Sequence, residues 1–326
     1  MLSDVNNFES HDYVVSQDKI GYIEQDNIVY NVVYGYKTLF AYHCEHEKGK
    51  RSKESLHENI SIRINCGSFS YAEISLQFAY IMGVTNTLET LSEPAKKVIE
   101  NNYRIMKNTY VPSVFGENNL RFIEKDDIMI ENSVDYFNRI KREIDDRLVE
   151  RDSEKRSILV FFELKQKLME FYNSDALTSI KESAVYLTED ASLEEKEKLI
   201  KRATLSGQIT LFTRTYGRGT DFVCHDQTVA ANGGTHVIQT FLSEEFLEEK
   251  QIKGRTARQS DQGSYSMILL DRDLEKFHIE KVHIEDIKKG KGFLTRITNT
   301  VTDALRFTET YETIYDLLHV KRTDLF

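Results

Sequence analysis

Residues Ile158 to Phe162 form an apolar run without a polar break. Such a run suits a strand buried on both faces, because a strand with one solvated face would alternate apolar with polar side chains. The surroundings agree with that reading. Val134, Phe137, Ile140, Ile144 and Leu148 recur upstream at helical spacing, and four more strand candidates follow at Ala184 to Leu187, Gln208 to Thr213, Thr235 to Thr240 and Tyr265 to Leu270. Helical segments separate most of them. The helix after the second candidate has a start signal in Ser192 and Glu195, the spacing of a capping box. Strand and helix alternating in this way predict an α/β fold, a parallel sheet with flanking helices.

The rest of the chain is less regular. Residues 28 to 47 are rich in Val, Tyr and Phe and broken at Gly35, which reads as strands around a turn or bulge. Residues 48 to 58 form a charged loop, and 68 to 110 read as helix, loop and helix, with Gly83 and Pro94 as punctuation. Tyr110 to Asn119 is a crossing segment, since Pro112 biases Val111 toward extended backbone and Gly116 interrupts the residues after it. Three regions result: an amino-terminal strand and helix region over 1–119, the α/β lobe over 120–278 and a helical extension over 279–326. The 326 residues carry 43 Lys and Arg against 53 Asp and Glu, a net charge of −10 that weighs against a duplex-binding face. No apolar stretch approaches a bilayer span, and Met1 to Asp12 is acidic rather than signal-like. The expected location is cytoplasmic. Cys44, Cys66 and Cys224 are scattered, so neither a disulfide framework nor a zinc site is expected.

Ligands of open parallel sheets bind beyond the carboxyl ends of the strands, which draws attention to the residues just after them. Thr213 to Asp221 reads T-R-T-Y-G-R-G-T-D, in which Gly217 and Gly219 bracket Arg218, a donor fork suited to phosphate, and Asp221 offers an acceptor. Gln251 to Gln259 reads Q-I-K-G-R-T-A-R-Q and, if helical, sets Arg255 and Arg258 on one face, where an anion between them would relieve their repulsion. Bland readings stand beside these. The first loop is also a tight turn with a surface arginine, and the arginines of the second also have Glu244, Glu245, Glu248 and Glu249 as possible partners. His43, Cys44, Glu45 and His46 make a poor metal site, since a strand would divide them between its faces. Asp271 to Asp273 is a solvated strand end.

Taken in order, these segments resemble motifs V and VI of superfamily 2 motor ATPases, most closely the SecA family of preprotein translocase ATPases. Gly233 to Ile238 (G-G-T-H-V-I) resembles that family's G-G-L-H-I-I strand, Asp261 to Ser264 its G-D-x-G-S turn, and Ile81 to Leu88 its motif III, which ends the first nucleotide-binding lobe. The resemblance spans roughly residues 60 to 278 and implies a RecA-like second lobe behind a remnant of the first. It implies that Gly217, Arg218, Gly219, Asp221, Gln251 and Gly254 border ATP, that Arg255 and Arg258 face its γ-phosphate as catalytic residues, and that Thr85 and Thr87 couple nucleotide state to lobe movement. It departs from the family at Asn86 and Ala257, both glycines there. The sequence holds no G-x-x-x-x-G-K-[ST] and no acidic pair closing an apolar strand, the elements that cradle the β- and γ-phosphates and hold Mg²⁺. The expectation is a motor lobe that turns over ATP only with a Walker-bearing first lobe, in cis or trans, and acts on unfolded polypeptide or at a membrane translocon. Two alternatives remain open: a non-catalytic interaction module that keeps the motor fold, and the carboxy-terminal lobe of a nucleic-acid helicase.

Overall fold

The computed structural model describes residues 13–16, 18–24, 27–30, 32–59, 67, 69–85, 88–112, 114–115, 118–148, 155–288, 293–295, 309–311 and 313–323. Two compact units emerge, one of residues 1–110 with 189–193 and one of 111–188 with 194–326.

The second unit is built on a parallel sheet of seven strands with flanking helices. Its central strand is β6 (Ile158–Phe162), every residue of which is buried. On one side of β6 lie β8 (Ile209–Thr213) and then β7 (Ala184–Leu187); on the other lie β9 (Thr235–Gln239) and β10 (Gln262–Leu270). The far side of β10 pairs with β4 (Asn119–Arg121) along its first half and β5 (Ile128–Glu131) along its second. The strand reading of the sequence thus holds to within a few residues at each end. The two short edge strands β4 and β5 escaped it, because lengths of three and four residues carry too little pattern.

Helices cover the sheet for the reasons the spacing gave. Helix α3 (Tyr136–Leu148) buries Tyr136, Ile140, Ile144 and Leu148, one face at helical period, against Val160, Ile238 and Ile268 of the sheet core. Each fully buried side chain of this size contributes roughly 1.5–3 kcal/mol of transfer free energy. Helix α4 (Lys165–Tyr172) adds Leu168 and Phe171 to the same core, and α5 (Leu193–Arg202) begins directly after Ser192. The carboxy-terminal end contains helix α8 (Lys281–Lys288) and helix α9 (Ile314–Thr323), with a short antiparallel pair, β11 (Phe293–Thr295) and β12 (Glu309–Tyr311), between them.

The first unit corrects two expectations. Its antiparallel sheet of β1 (Tyr13–Ser16), β2 (Lys19–Glu24) and β3 (Asn27–Val29) ends before the turn, and Tyr36–Glu47 is helix α1 rather than strand. Thr38, Ala41, Tyr42 and Glu45 are its buried positions, a helical spacing that overrides the β propensity of the aromatic residues. Gly35, at φ +58°, makes the turn into it. His43 to His46 therefore lie around a helix, where Glu45 is engaged by Lys48 at 2.8 Å. The core of this unit is Ile20, Tyr22, Ala41, Tyr42 and Leu56, the last from helix α2 (Lys53–Asn59). The charged segment 48–58, expected as a loop, gives way to helix α2 from Lys53, while the expected helix, loop and helix beyond residue 68 is present in short form, with helical turns over Tyr71–Gln77 and again over Glu93–Asn102. Among the described residues, no helix is long and apolar enough to cross a membrane.

A polar network is buried inside the second unit. Arg156, 1% exposed, donates from Nε to the Gly234 carbonyl at 2.7 Å and from Nη2 to the Gly233 carbonyl at 2.8 Å and to Ser264 Oγ at 2.7 Å. Ser264 Oγ lies 2.7 Å from His236 Nδ1, and His236 Nε2 lies 3.1 Å from Ser266 Oγ and 3.5 Å from Glu143 Oε1. Burial pulls the imidazole pKa down to about 4 against the opposing pull of Glu143, so the ring is neutral at neutral pH. Burial would raise the Glu143 carboxyl, but His236 and then Arg147 outweigh it and hold it at about 2.

This network makes stability depend on pH. With the folded His236 near 4 and the unfolded one near 6.5, the unfolded chain takes up the proton first, so this stability is complete above about 6.5 and is lost as pH falls toward 4. Denaturant unfolding at pH 5 should give a stability lower by about 2 kcal/mol than at pH 7.5. The His236→Gln variant should show a flatter profile over that interval; a profile as steep as that of the unaltered chain would remove His236 as the cause.

Candidate functional site

The loop after β8 does not stay at the carboxyl end of the sheet. Arg214–Gly217 makes one 3₁₀ turn, in which buried Tyr216 donates its hydroxyl hydrogen to the Thr188 carbonyl at 2.9 Å. The chain then runs back along the lobe. Thr204 Oγ1 donates to the Val223 carbonyl at 3.0 Å and the Ser206 amide donates to the carboxylate of Asp226, which caps helix α6 (Gln227–Ala231), at 2.8 Å, both donors preceding β8. The return brings Asp221, Phe222 and Cys224 beside Thr235, which opens β9, and Gln262, which opens β10.

The second segment arrives at the same place. Helix α7 (Phe246–Lys253) ends at Gly254, whose amide donates to the Lys250 carbonyl at 2.9 Å. Arg255 and Arg258 therefore lie in the turns between α7 and β10, not on one helix face as their spacing predicts. Backbone conformation is the reason, because Ala257, Gln259 and Ser260 have φ of +52°, +50° and +73°, outside any right-handed helix. These turns are pressed onto the strand starts. Thr256 Oγ1 donates to the Thr235 carbonyl at 2.6 Å, and a Cβ at Gly263 would lie 2.1 Å from Thr256 Oγ1 and 2.6 Å from the Ala257 nitrogen. The concave surface they form sits at the amino-terminal ends of β9 and β10. The expectation of a site beyond the carboxyl ends is corrected accordingly, since the returning loop and the end of α7 meet at the opposite rim.

The two arginines take different positions there. Arg258 is exposed and its Nη1 pairs with Asp221, also exposed. Arg255 is half-buried and spent on backbone: Nε donates to the Gly217 and Gln251 carbonyls, each at 3.0 Å, and Nη1 to the Thr220 carbonyl. Burial lowers its pKa, and the neighbouring Arg258 charge adds to this while Asp221 opposes it. The acidic run serves other cations. Glu248 holds Arg214 through two bonds of 2.9 and 2.7 Å, and Glu245 holds Arg218 at 3.1 Å on the surface, where such a pair is worth at most about 1 kcal/mol.

The remaining predicted residues lie in several settings. Gly217 packs so closely that a Cβ would lie 2.6 Å from Ile252 Cγ1, and Gly219 takes φ +64°. Gln251 Oε1 is buried with no hydrogen-bond partner. Thr85 is exposed in the first unit, and Thr87, like Asn86, lies outside the described residues.

Sequence reasoning missed the support behind α7. Lys253 Nζ lies 4.1 Å from the Phe122 ring centroid, 5.0 Å from that of Tyr265 and 4.7 Å from that of Tyr315, and 2.7 Å from Glu249 Oε1. Helix α9 completes the nest, as Tyr315 donates its hydroxyl to Glu249 Oε1 at 2.6 Å and Arg322 Nη1 donates to Glu249 Oε2 at 2.7 Å. The Glu249 to Lys253 spacing of four was the one visible signal.

No family model matches the chain. It is 39% identical over 120 residues to the protein translocase subunit SecA 2 of Chlorobium chlorochromatii, a match covering 36% of this chain and 16% of that protein. It is 26% identical over 248 residues to the protein translocase subunit SecA of Syntrophus aciditrophicus, covering 72% and 27%. The chain thus matches about a quarter or less of the length of these relatives. Among solved structures it is similar to domain 2 of the DEAD-box helicase Mss116p bound to an RNA duplex, at 17% identity over 47% of this chain and 59% of that one, with a TM-score of 0.35. By sequence the chain is similar to SecA protein translocase subunits.

Ala257 occupies a conformation that costs an ordinary residue about 1–2 kcal/mol. Ala257→Gly should therefore leave stability unchanged or raise it by up to about 1 kcal/mol, whereas the same exchange in regular helix or strand loses roughly 0.5–1 kcal/mol. Gly263→Ala should cost on the order of 2 kcal/mol or more through overpacking against the same turn. Chemical unfolding of both variants checks the pair, and a clear loss for Ala257→Gly would contradict the strain.

Proposed function

We propose that this SecA-like chain supplies the arginine side of a composite ATP site, completed by a Walker-bearing first lobe in cis or in trans. The observation that supports this reading most is that Arg258, Arg255 and the Gly217–Asp221 loop meet on one surface, with Arg258 exposed and anchored to an exposed carboxylate. A triphosphate offers that guanidinium oxygen acceptors with more charge than the carboxylate carries. Arg258 is then the arginine finger, stabilising negative charge as it develops on the transferring phosphoryl group. Arg255, tied to the Gly217 and Thr220 carbonyls, holds the loop against the finger, while Gly217, Arg218, Gly219, Gln251 and Gly254 border the nucleotide. Thr85 and Thr87 couple its state to lobe movement.

The phosphate cradle and the Mg²⁺ ligands come from the first lobe, so these 326 residues by themselves leave ATP intact. Coupling runs to an unfolded polypeptide, in the cytoplasm or peripherally at a membrane translocon; the net charge of −10 disfavours nucleic acid as the substrate. A non-catalytic module with the same fold is the competing reading, favoured by the missing phosphate loop.

Fusing a Walker-bearing SecA-like first lobe upstream of residue 60 separates the two. The fusion should release phosphate from ATP in the presence of Mg²⁺, and Arg258→Ala should lower turnover by about 10³ to 10⁵ with little change in nucleotide binding. Arg255→Ala should lower it as well, and Asp271→Ala should leave it unchanged. An inert fusion would favour the interaction module, and an active one indifferent to both arginines would remove them from the site.

A further inference from the structure

Helices α7 and α9 meet along matched faces. On α7 the face is Phe246, Glu249 and Lys253, and on α9 it is Tyr315, His319 and Arg322, each set at helical spacing. Their order is reversed. At one end the Arg322 guanidinium lies 5.3 Å from the Phe246 ring centroid and His319 meets the same ring edge-on at 4.8 Å; at the other, Lys253 Nζ donates to the Tyr315 hydroxyl at 2.9 Å. Glu249, fully buried between them, takes Lys253 and Tyr315 on Oε1 and Arg322 on Oε2. Among the described residues Arg322 Nε and Nη2 have no hydrogen-bond partner, so its polar hold on α7 passes through Nη1 alone, 2.7 Å from Glu249 and 3.4 Å from the Ser243 carbonyl. Apolar side chains would cover α7 at lower cost, since burying ions is unfavourable even when they are paired. Directional bonds, however, admit one register where apolar contact tolerates several.

We propose that Glu249, Tyr315 and Arg322 are positioning residues, through which α9 fixes the last turn of α7 and with it Arg255 and Arg258. The connection is short. Gly254 follows Lys253 directly, the Arg255 amide donates back to the Ile252 carbonyl at 3.0 Å, and Arg255 Nε donates to the Gln251 carbonyl at the same distance. A displacement of α7 therefore carries Arg255 with it, and Arg255 in turn holds the Gly217 and Thr220 carbonyls of the neighbouring loop. Thr256 is anchored separately, on the Thr235 carbonyl at 2.6 Å. The turn that bears Arg258 is thus stretched between a fixed strand start and a helix whose place α9 sets. A misplacement of about 1 Å in a catalytic group can cost about a hundredfold in rate, even when its cause lies far from the chemistry. The inference rests on the composite-site reading, since only there do the two arginines act on a nucleotide.

Two measurements test it. In the full chain without nucleotide, Arg322→Ala should speed amide hydrogen exchange at Arg255 and Thr256 by about tenfold or more, while β7 and β8 stay as protected as before. No change in the turn, or an equal rise across the sheet, would overturn the inference. Tyr315→Phe removes a single hydroxyl and should act in the same direction more weakly, which keeps the test open if the alanine variant folds poorly. In the fusion with a Walker-bearing first lobe, Arg322→Ala should lower kcat by about tenfold or more with KM for ATP within about twofold. Arg322→Lys should restore most of the loss, because a point charge can replace a guanidinium that uses only Nη1. A lysine variant as slow as the alanine one would overturn the positioning role. An active fusion that depends on Arg258 but not on Arg322 would also remove it and leave the composite site standing, whereas an inert unaltered fusion would remove both.

Discussion

One buried guanidinium stands behind everything the second unit presents. Arg156 precedes the central strand, yet its donors end on the carbonyls of Gly233 and Gly234 and on Ser264, so it ties β6 to the turn that starts β9 and to the first residues of β10. Burying such a charge is unfavourable unless its hydrogen bonds are met, and here carbonyl oxygens and a hydroxyl meet them. The turn it holds cannot relax. Gly234 approaches β10 so closely that a Cβ would lie 1.7 Å from the Gln262 carbonyl oxygen. The strand starts fixed in this way are the floor on which Thr256 and Ala257 rest.

Arginine appears at three depths from that floor to the surface. Arg156 is closed in and has one arrangement. Arg255 is half-buried and committed to carbonyls of the neighbouring loop, while Arg258 reaches solvent and holds a carboxylate. A guanidinium stays charged at each of these depths, whereas burial shifts the pKa of a lysine more readily. Lys253 illustrates the contrast, since burial lowers its pKa despite Glu249 beside it. The exposed arginine is thus carried on progressively stiffer material, and its direction is set by contacts made well below it.

Some of this was legible in the residues and some was not. Strands β6 to β10 were readable because burial on both faces leaves an apolar run that no other element needs. The two loops of the site were readable as Gly and Arg in short order, and their partnership was readable through family resemblance. Their meeting at the amino-terminal rim was not, because the reversal after Arg218 is set by hydrogen bonds to Thr204 and Ser206 that leave no periodic trace. Helix α1 was misread because its buried face carries Thr38 and Tyr42, residues with strand propensity, and only the spacing betrays it. The aromatic nest of Lys253 joins Phe122, Tyr265 and Tyr315, which come together only once the chain has folded.

The divided edge of the sheet bears on the order of assembly. Strands β4 and β5 both pair with β10, and the Asn119 side chain donates to the Ser260 carbonyl across 141 residues of sequence. During synthesis these two strands leave the ribosome early and wait, without a partner, for almost the whole lobe to be made. Contacts of such long range close late because the loop entropy is lost before the pairing repays it. Their brevity is then protective, since three or four residues give a waiting edge little to offer a neighbouring nascent chain. The first strands of this lobe therefore close onto β10 only after β10 itself has been made.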